Sequence, residues 1–238
     1  MTIKQIGLVS SFVAAAAGTA VAGQIQVGYS GSSYGPYQTG QGGEFTYNPL
    51  TGWLDVSGYG PNTKNIGVAG TFQTFCLEGN ETLNGYNATY TAAMNKNAMD
   101  GGVVGLGDPL SVGTGWLYKQ FASQVWEGSL SYNYGAGGRL TSANALQQAI
   151  WWLEGEKSVA YDLGNIYMAA AVGKFITQAG AKVDGAWNYG VYALNMTTAN
   201  GGLAQDGLYY VRTPDGGFTL LMLGTGLFGL ALARRRTV

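Results

Sequence analysis

The sequence predicts an α+β domain, a β-sandwich or small β-barrel that carries an inserted helical layer. Three observations predict it. Short alternating runs separated by Gly, Ser, Asn and Pro clusters occupy residues 24–78, segments of helical period occupy 115–179, and alternation returns over 189–211. There is no repeat of fixed period and no Pro-rich linker to divide the region.

The elements follow in order. Gln24-Ile25-Gln26-Val27-Gly28-Tyr29, Phe45-Thr46-Tyr47 and Phe72-Gln73-Thr74-Phe75-Cys76-Leu77-Glu78 alternate as strands do. The Tyr- and Gly-rich stretch 28–61 suits exposed sheet and loops. Trp116, Leu117, Phe121 and Val125 lie at helical spacing over 115–127. A second helix, 143–154, is free of Gly and Pro, with Thr141 or Ser142 to cap it and Leu146, Ala149, Ile150 and Leu153 as its apolar stripe. A third spans 163–179 behind Asp162 as cap, with Ile166, Met168, Ala169, Val172 and Phe175 as its stripe. Strands at 189–194 and 208–211 complete the domain.

Composition excludes several chemistries. The 238 residues carry a net charge of −1, only 11% are charged, and 40 are Gly. A soluble domain carries ~25% charged residues and ~7% Gly. With no His there is no Ser-His-Asp triad, no His-based metal site and no imidazole acid–base work. A single Cys allows no intrachain disulfide and no zinc or iron–sulfur cluster. No metal and no cofactor are expected, and the lack of a basic surplus argues against nucleic acid as a partner.

Both ends read as addresses. Residues 1–22 form a secretory signal: Lys4 is the positive start, 6–21 is an uncharged run, and Ala20 and Ala22 are the small residues that signal peptidase inspects. At the other end Thr213-Pro214-Asp215-Gly216-Gly217 is a turn, followed by sixteen uncharged residues, 218–233, and by Arg234, Arg235 and Arg236. Sixteen helical residues reach roughly 24 Å, short of a ~30 Å hydrocarbon core. The arginines favour the cytoplasmic side, so the tail is a marginal inner-membrane anchor with the body outside.

This order of motif, apolar helix and Arg cluster resembles the PEP-CTERM sorting signals of bacteria, in the variant with a Val-Pro-Asp-Gly-Gly motif; Thr213 stands where that family has Val. The resemblance implies recognition by an exosortase-type membrane protease and cleavage near the motif. The implied destination is the cell surface or exopolysaccharide matrix of a bacterium with an outer membrane. Signal peptide 1–22 and sorting tail 213–238 thus flank one extracytoplasmic domain, 23–212, with eight basic and twelve acidic residues. The terminal segments are expected to be a signal helix and a hydrophobic sorting helix.

Cys76, a lone thiol in an exported chain, admits four readings. It is a buried small hydrophobe, half of an intermolecular disulfide, a protease nucleophile, or one half of an internal thioester with a Gln. The nucleophile reading lacks its His. A thioester needs none: the thiol attacks a carboxamide, ammonia leaves, and the fold shields the stored acyl group from water.

Here Phe75-Cys76-Leu77-Glu78 and the helix segment Gln147-Gln148-Ala149-Ile150-Trp151 resemble the thioester domains of bacterial surface adhesins, in which a strand Cys faces the Gln of a Gln-x-Ala-Ile-Trp helix. The resemblance implies Cys76 as acyl holder and Gln147 as donor, with Gln148 the competitor. Gln147, Ile150, Trp151 and Glu154 share a helix face. Trp151 is then expected to shield the bond, and Glu154 or Glu78 to orient or deprotonate an incoming amine at its rim.

The expectation is an adhesive surface or biofilm-matrix protein that attaches covalently to an amine or hydroxyl on a surface polysaccharide or protein. Single-use bond formation is not enzymatic turnover. Its rival is a non-covalent matrix or carbohydrate-binding protein in which Cys76 is structural. A hydrolase using Glu78 and Glu154 is a third class. Weaker signals are the triplets at Asn80, Asn87 and Asn195, the Gly-rich segment 101–107 read as a loop, and the exposed-looking aromatics Tyr29, Tyr34, Tyr37, Trp53 and Tyr59.

Overall fold

The computed structural model of the protein describes residues 22–29, 33–39, 42–103 and 107–212. Ala20, the sorting motif Pro214, Asp215, Gly216 and Gly217, the cluster Arg234, Arg235 and Arg236, and the two terminal helices expected above lie outside the described residues. Among the described residues no helix is long and apolar enough to cross a membrane.

The architecture is mixed α+β, built on a curled antiparallel sheet. β1 (Ala22–Val27) lies between β3 (Gly42–Leu50) and β5 (Ala88–Asn95). Ala22, expected to end the signal, is the first residue of β1 and pairs with Ala93. β2 (Tyr37–Thr39) and β4 (Phe72–Thr74) both pair with β3. β8 (Val191–Thr197) continues the sheet beyond β5, and β9 (Leu203–Tyr210) ends the path. The segment after β4 then reaches β9: Cys76 bridges to Gly207, the Leu77 N–H donates to the Asp206 carbonyl at 3.0 Å, and the Thr74 hydroxyl sits between the carbonyl and amide of Leu208. A separate hairpin is formed by β6 (Asn97–Val103) and β7 (Gly107–Pro109), so part of the Gly-rich segment read as a loop is strand.

Helices α1 (Val112–Ser123), α2 (Arg139–Glu154), α3 (Ile166–Phe175) and α4 (Gln178–Ala181) lie between β7 and β8 in the chain. α1 begins earlier than its periodicity suggests because Ser111 caps it, its side chain accepting from the Thr114 N–H. It ends at Gln124, which turns left-handed (φ 59°) and leaves Val125 exposed rather than in the apolar stripe. α2 starts at Arg139 behind Gly138, so Thr141 and Ser142 fall within its first turns and do not cap it. Asn165, not Asp162, caps α3 by accepting from the N–H groups of Tyr167 and Met168. Ile176 breaks the predicted single helix there (φ 72°), and Ile166 points outward. Tyr59, read as exposed, is buried against Phe72 and Tyr209.

The helical layer packs on the sheet through aromatic contacts such as Phe75 with Phe121, ring centroids 4.9 Å apart. One polar cluster pins α2 to β3. The Arg139 guanidinium grips the buried Glu44 carboxylate through two bonds of 2.7 and 2.6 Å, and its Nη2 also donates to the Asn62 carbonyl. Tyr132 donates to the same carboxylate, and the guanidinium lies 4.2 Å from the Tyr37 ring centroid. Burial pushes the Glu44 carboxyl up while Arg139 holds it down. Removing one partner of such a pair strands the other charge. Glu44→Gln should therefore cost about 3–5 kcal/mol, read as a drop in the urea midpoint without a change in slope.

Candidate functional site

The site forms where two paired strands part. β3 and β4 pair as Tyr47↔Phe72, Thr46↔Gln73 and Phe45↔Thr74. Continuing that register would set Gly43 opposite Cys76. The Gln147 carboxamide occupies that rung instead. Its Oε1 accepts from the Cys76 N–H at 3.1 Å and the Gly43 N–H at 3.4 Å, and its Nε2 donates to the Cys76 carbonyl at 2.9 Å. Two N–H donors at one end and a carbonyl at the other fix which end of the amide is oxygen. Gln147 is fully buried and Gln148 only partly, so the strand faces the donor expected over its competitor.

Close approach of α2 to the sheet permits this. A Cβ on Gly42 would stand 2.6 Å from Gln147 Cγ and 2.9 Å from the Trp151 ring, so a residue without a side chain is required. The Arg139–Glu44 pair holds the first turn of the same helix on the same strand.

Cys76 is a buried free thiol, 2% exposed. Burial pushes that thiol well above its ordinary range; Lys157 draws it back and Glu81 opposes the draw. Beside it lies a cavity of about 250 Å³, whose walls include Gln38, Phe45, Glu81, Lys157 and Gln205 as well as Cys76 itself. Trp151 is buried one turn beyond Gln147, and the Lys157 ammonium lies 4.3 Å from its ring centroid.

The two glutamates do not stand where they were expected. Glu154 is seven residues along α2 from Gln147, about 10 Å of rise, and it turns to α1. Its carboxylate accepts from the Ser111 hydroxyl at 2.8 Å and from the Ser111 N–H, next to the positive end of α1. Burial raises its pKa to about 7 against those bonds. Glu78 is buried but does not line the Cys76 cavity. Burial first, then repulsion from Glu156, Asp206, Glu81 and Asp108, pushes it from 4.5 to about 9, so it is a neutral acid at pH 7 and no base. Neither carboxylate is among the walls of the cavity beside Cys76.

Sequence reasoning missed Gly42, Gly43 and Lys157. The Gly42-Gly43 pair ahead of Glu44-Phe45 is the one signal that could have flagged a close approach of backbone to a neighbour.

Chemically, two N–H groups aimed at a carboxamide oxygen polarise its carbon and stabilise the oxyanion that forms when a nucleophile adds there. The residue whose backbone the carboxamide pairs with, Cys76, carries a free thiol. No protein-family model, curated protein or solved structure matches the chain.

Two outcomes follow. Gly42→Ala should push α2 off β3, costing about 1–3 kcal/mol by denaturant titration. For Glu78, the folded pKa lies above the unfolded one. Its contribution is therefore full below pH 4.5 and lost as pH rises toward about 9. Glu78→Gln, which stays neutral, should melt with the parent at pH 4.5 and several degrees above it at pH 9.

Proposed function

We propose that Cys76 and Gln147 form an internal thioester and that the protein uses it to attach covalently to an amine or hydroxyl on a surface polysaccharide or protein. The observation that carries this reading is the Gln147 carboxamide held between Cys76 and Gly43, with its oxygen under two backbone N–H donors. In the first step the Cys76 sulfur bonds to the Gln147 carbonyl carbon and the carbon–nitrogen bond breaks. The thiol proton leaves with the nitrogen as ammonia. In the second, an incoming amine or hydroxyl takes the acyl group and the thiol is regenerated. One molecule makes one bond, so this is capture rather than catalysis.

The wider reading follows the same line. Residues 1–22 export the chain, an exosortase-type protease sorts it through 213–238, and the domain acts at the cell surface or in the matrix. Phe72–Thr74 and Cys76, which link β3 to β9, support reading the curled sheet as a small barrel. Such a frame holds Cys76 on a rigid element, as a stored electrophile requires.

A second reading is favoured by one observation. The carboxamide satisfies both backbone groups of Cys76, which a purely structural Gln would also do. The protein would then be a non-covalent matrix or carbohydrate-binding component. Intact mass decides. The thioester reading expects the exported, non-reduced protein about 17 Da light, shifting by about +31 Da with methylamine, and neither change in Cys76→Ala. A full, unreactive mass on a folded protein leaves the structural reading standing.

A further inference from the structure

Two consecutive residues other than Gly adopt left-handed backbone just beyond α2: Lys157 (φ 51°) and Ser158 (φ 53°), following Gly155 (φ 81°). Left-handed backbone in such residues is sparse and is kept where surrounding contacts over-determine it. Here the contacts converge on the thiol site. Glu156 Oε2 accepts from the Gly79 N–H at 2.8 Å, tying the turn to the segment three residues past Cys76. The Lys157 stem lies so close over Gly79 that an added Cβ would stand 2.4 Å from its Cγ. The ammonium lies over Trp151, and the side chain walls the same cavity as Cys76. Lys157 is itself exposed, so its stem packs over Gly79 and the Trp151 ring at the mouth of the cavity while its head stays in reach of water, where a carrier can exchange protons.

On the thioester reading above, on which this inference rests, a buried thiol must lose a proton and the departing nitrogen must gain one. We propose that Lys157 is the proton carrier of the Cys76–Gln147 site. In one exchange the ammonium gives a proton to the departing nitrogen while the thiol proton replaces it on the amine as sulfur bonds to carbon, so the lysine is unchanged when ammonia leaves. In the capture step the ammonium gives its proton to the departing thiolate and recovers one from the nitrogen of the newly bonded amine. Among the described residues, the titratable groups that line the Cys76 cavity or act on the thiol are Lys157 from this turn, Glu81 from the segment after β4, Tyr34 from the segment before β2 and Tyr47 from β3; Gln147 of α2 and Gly207 of β9 bring no charge. Of these, Lys157 alone is a cation, and it opposes the upward push of burial on the thiol.

The test uses the full-length protein with Lys157→Met and Lys157→Arg, following the mass deficit and methylamine uptake from pH 6 to 9. Both variants should take up methylamine at least about tenfold more slowly at pH 7, since general acid–base assistance is worth 10²–10⁴-fold. Arginine keeps the charge over Trp151 but does not give up its proton. The Met variant's residual rate should climb with pH where the wild type levels off. An unchanged melting temperature in the Arg variant excludes a folding defect. Either variant reacting at the wild-type rate with the wild-type pH profile overturns the role of Lys157. A wild-type chain of full mass overturns the thioester reading itself.

Discussion

Backbone groups taken out of water must find partners, and the region around Cys76 meets that demand with a side chain. Where β3 and the segment after β4 diverge, the Cys76 N–H and carbonyl and the Gly43 N–H face a gap that no strand fills. Leaving such groups unpaired would cost about 1–3 kcal/mol each. The Gln147 carboxamide, a peptide group in miniature, fills the rung. Much else follows from that substitution. α2 has to lie against the sheet edge, which requires Gly42 bare and favours a buried Arg139–Glu44 clasp about two turns from Gln147 along the helix. The aromatic stripe of α2 is then committed to the core rather than to solvent.

Burial governs the electrostatics of this interior more than pairing does. Glu78, Glu154 and Cys76 are all pushed toward their neutral forms, and in each case desolvation is the largest cause. That has opposite consequences for the two halves of a thioester. A dry site protects a stored acyl group from hydrolysis, yet the same dryness makes the thiol a poor nucleophile. Backbone donors on the Gln147 oxygen address the second problem without adding water or a formal charge to the site.

The sequence was legible where one local signal sufficed. Leu146, Ala149, Ile150 and Leu153 mark α2, and the Cys76 and Gln147 contexts mark the two residues that meet. It was poorly legible where tertiary partners decide. β5 escapes a pattern search because only Tyr90 and Ala92 are buried along it, and Ala writes a faint alternation. Helix ends shifted because Ser111, Gly138 and Asn165 act through backbone geometry that spacing does not encode. Glu154 shares the Gln147 face by period, but seven residues of rise carry it to the Ser111 cap of another helix. Lys157 had no signal, since its place depends on left-handed residues and on a glycine 78 positions earlier in the chain.

The bond proposed here would change what holds the two elements together. Losing ammonia removes the Nε2 donor, so the Cys76 carbonyl forfeits its partner, a loss of about 1 kcal/mol. The carbonyl oxygen, by contrast, is retained with both N–H donors. In exchange, a covalent link joins residues 71 apart in sequence. Closing a loop of that length in the unfolded chain is worth about 4 kcal/mol on the chain-entropy argument used for disulfides. The acylated state would then be the tighter one, and attack by a nucleophile would release the cross-link without restoring the original carboxamide.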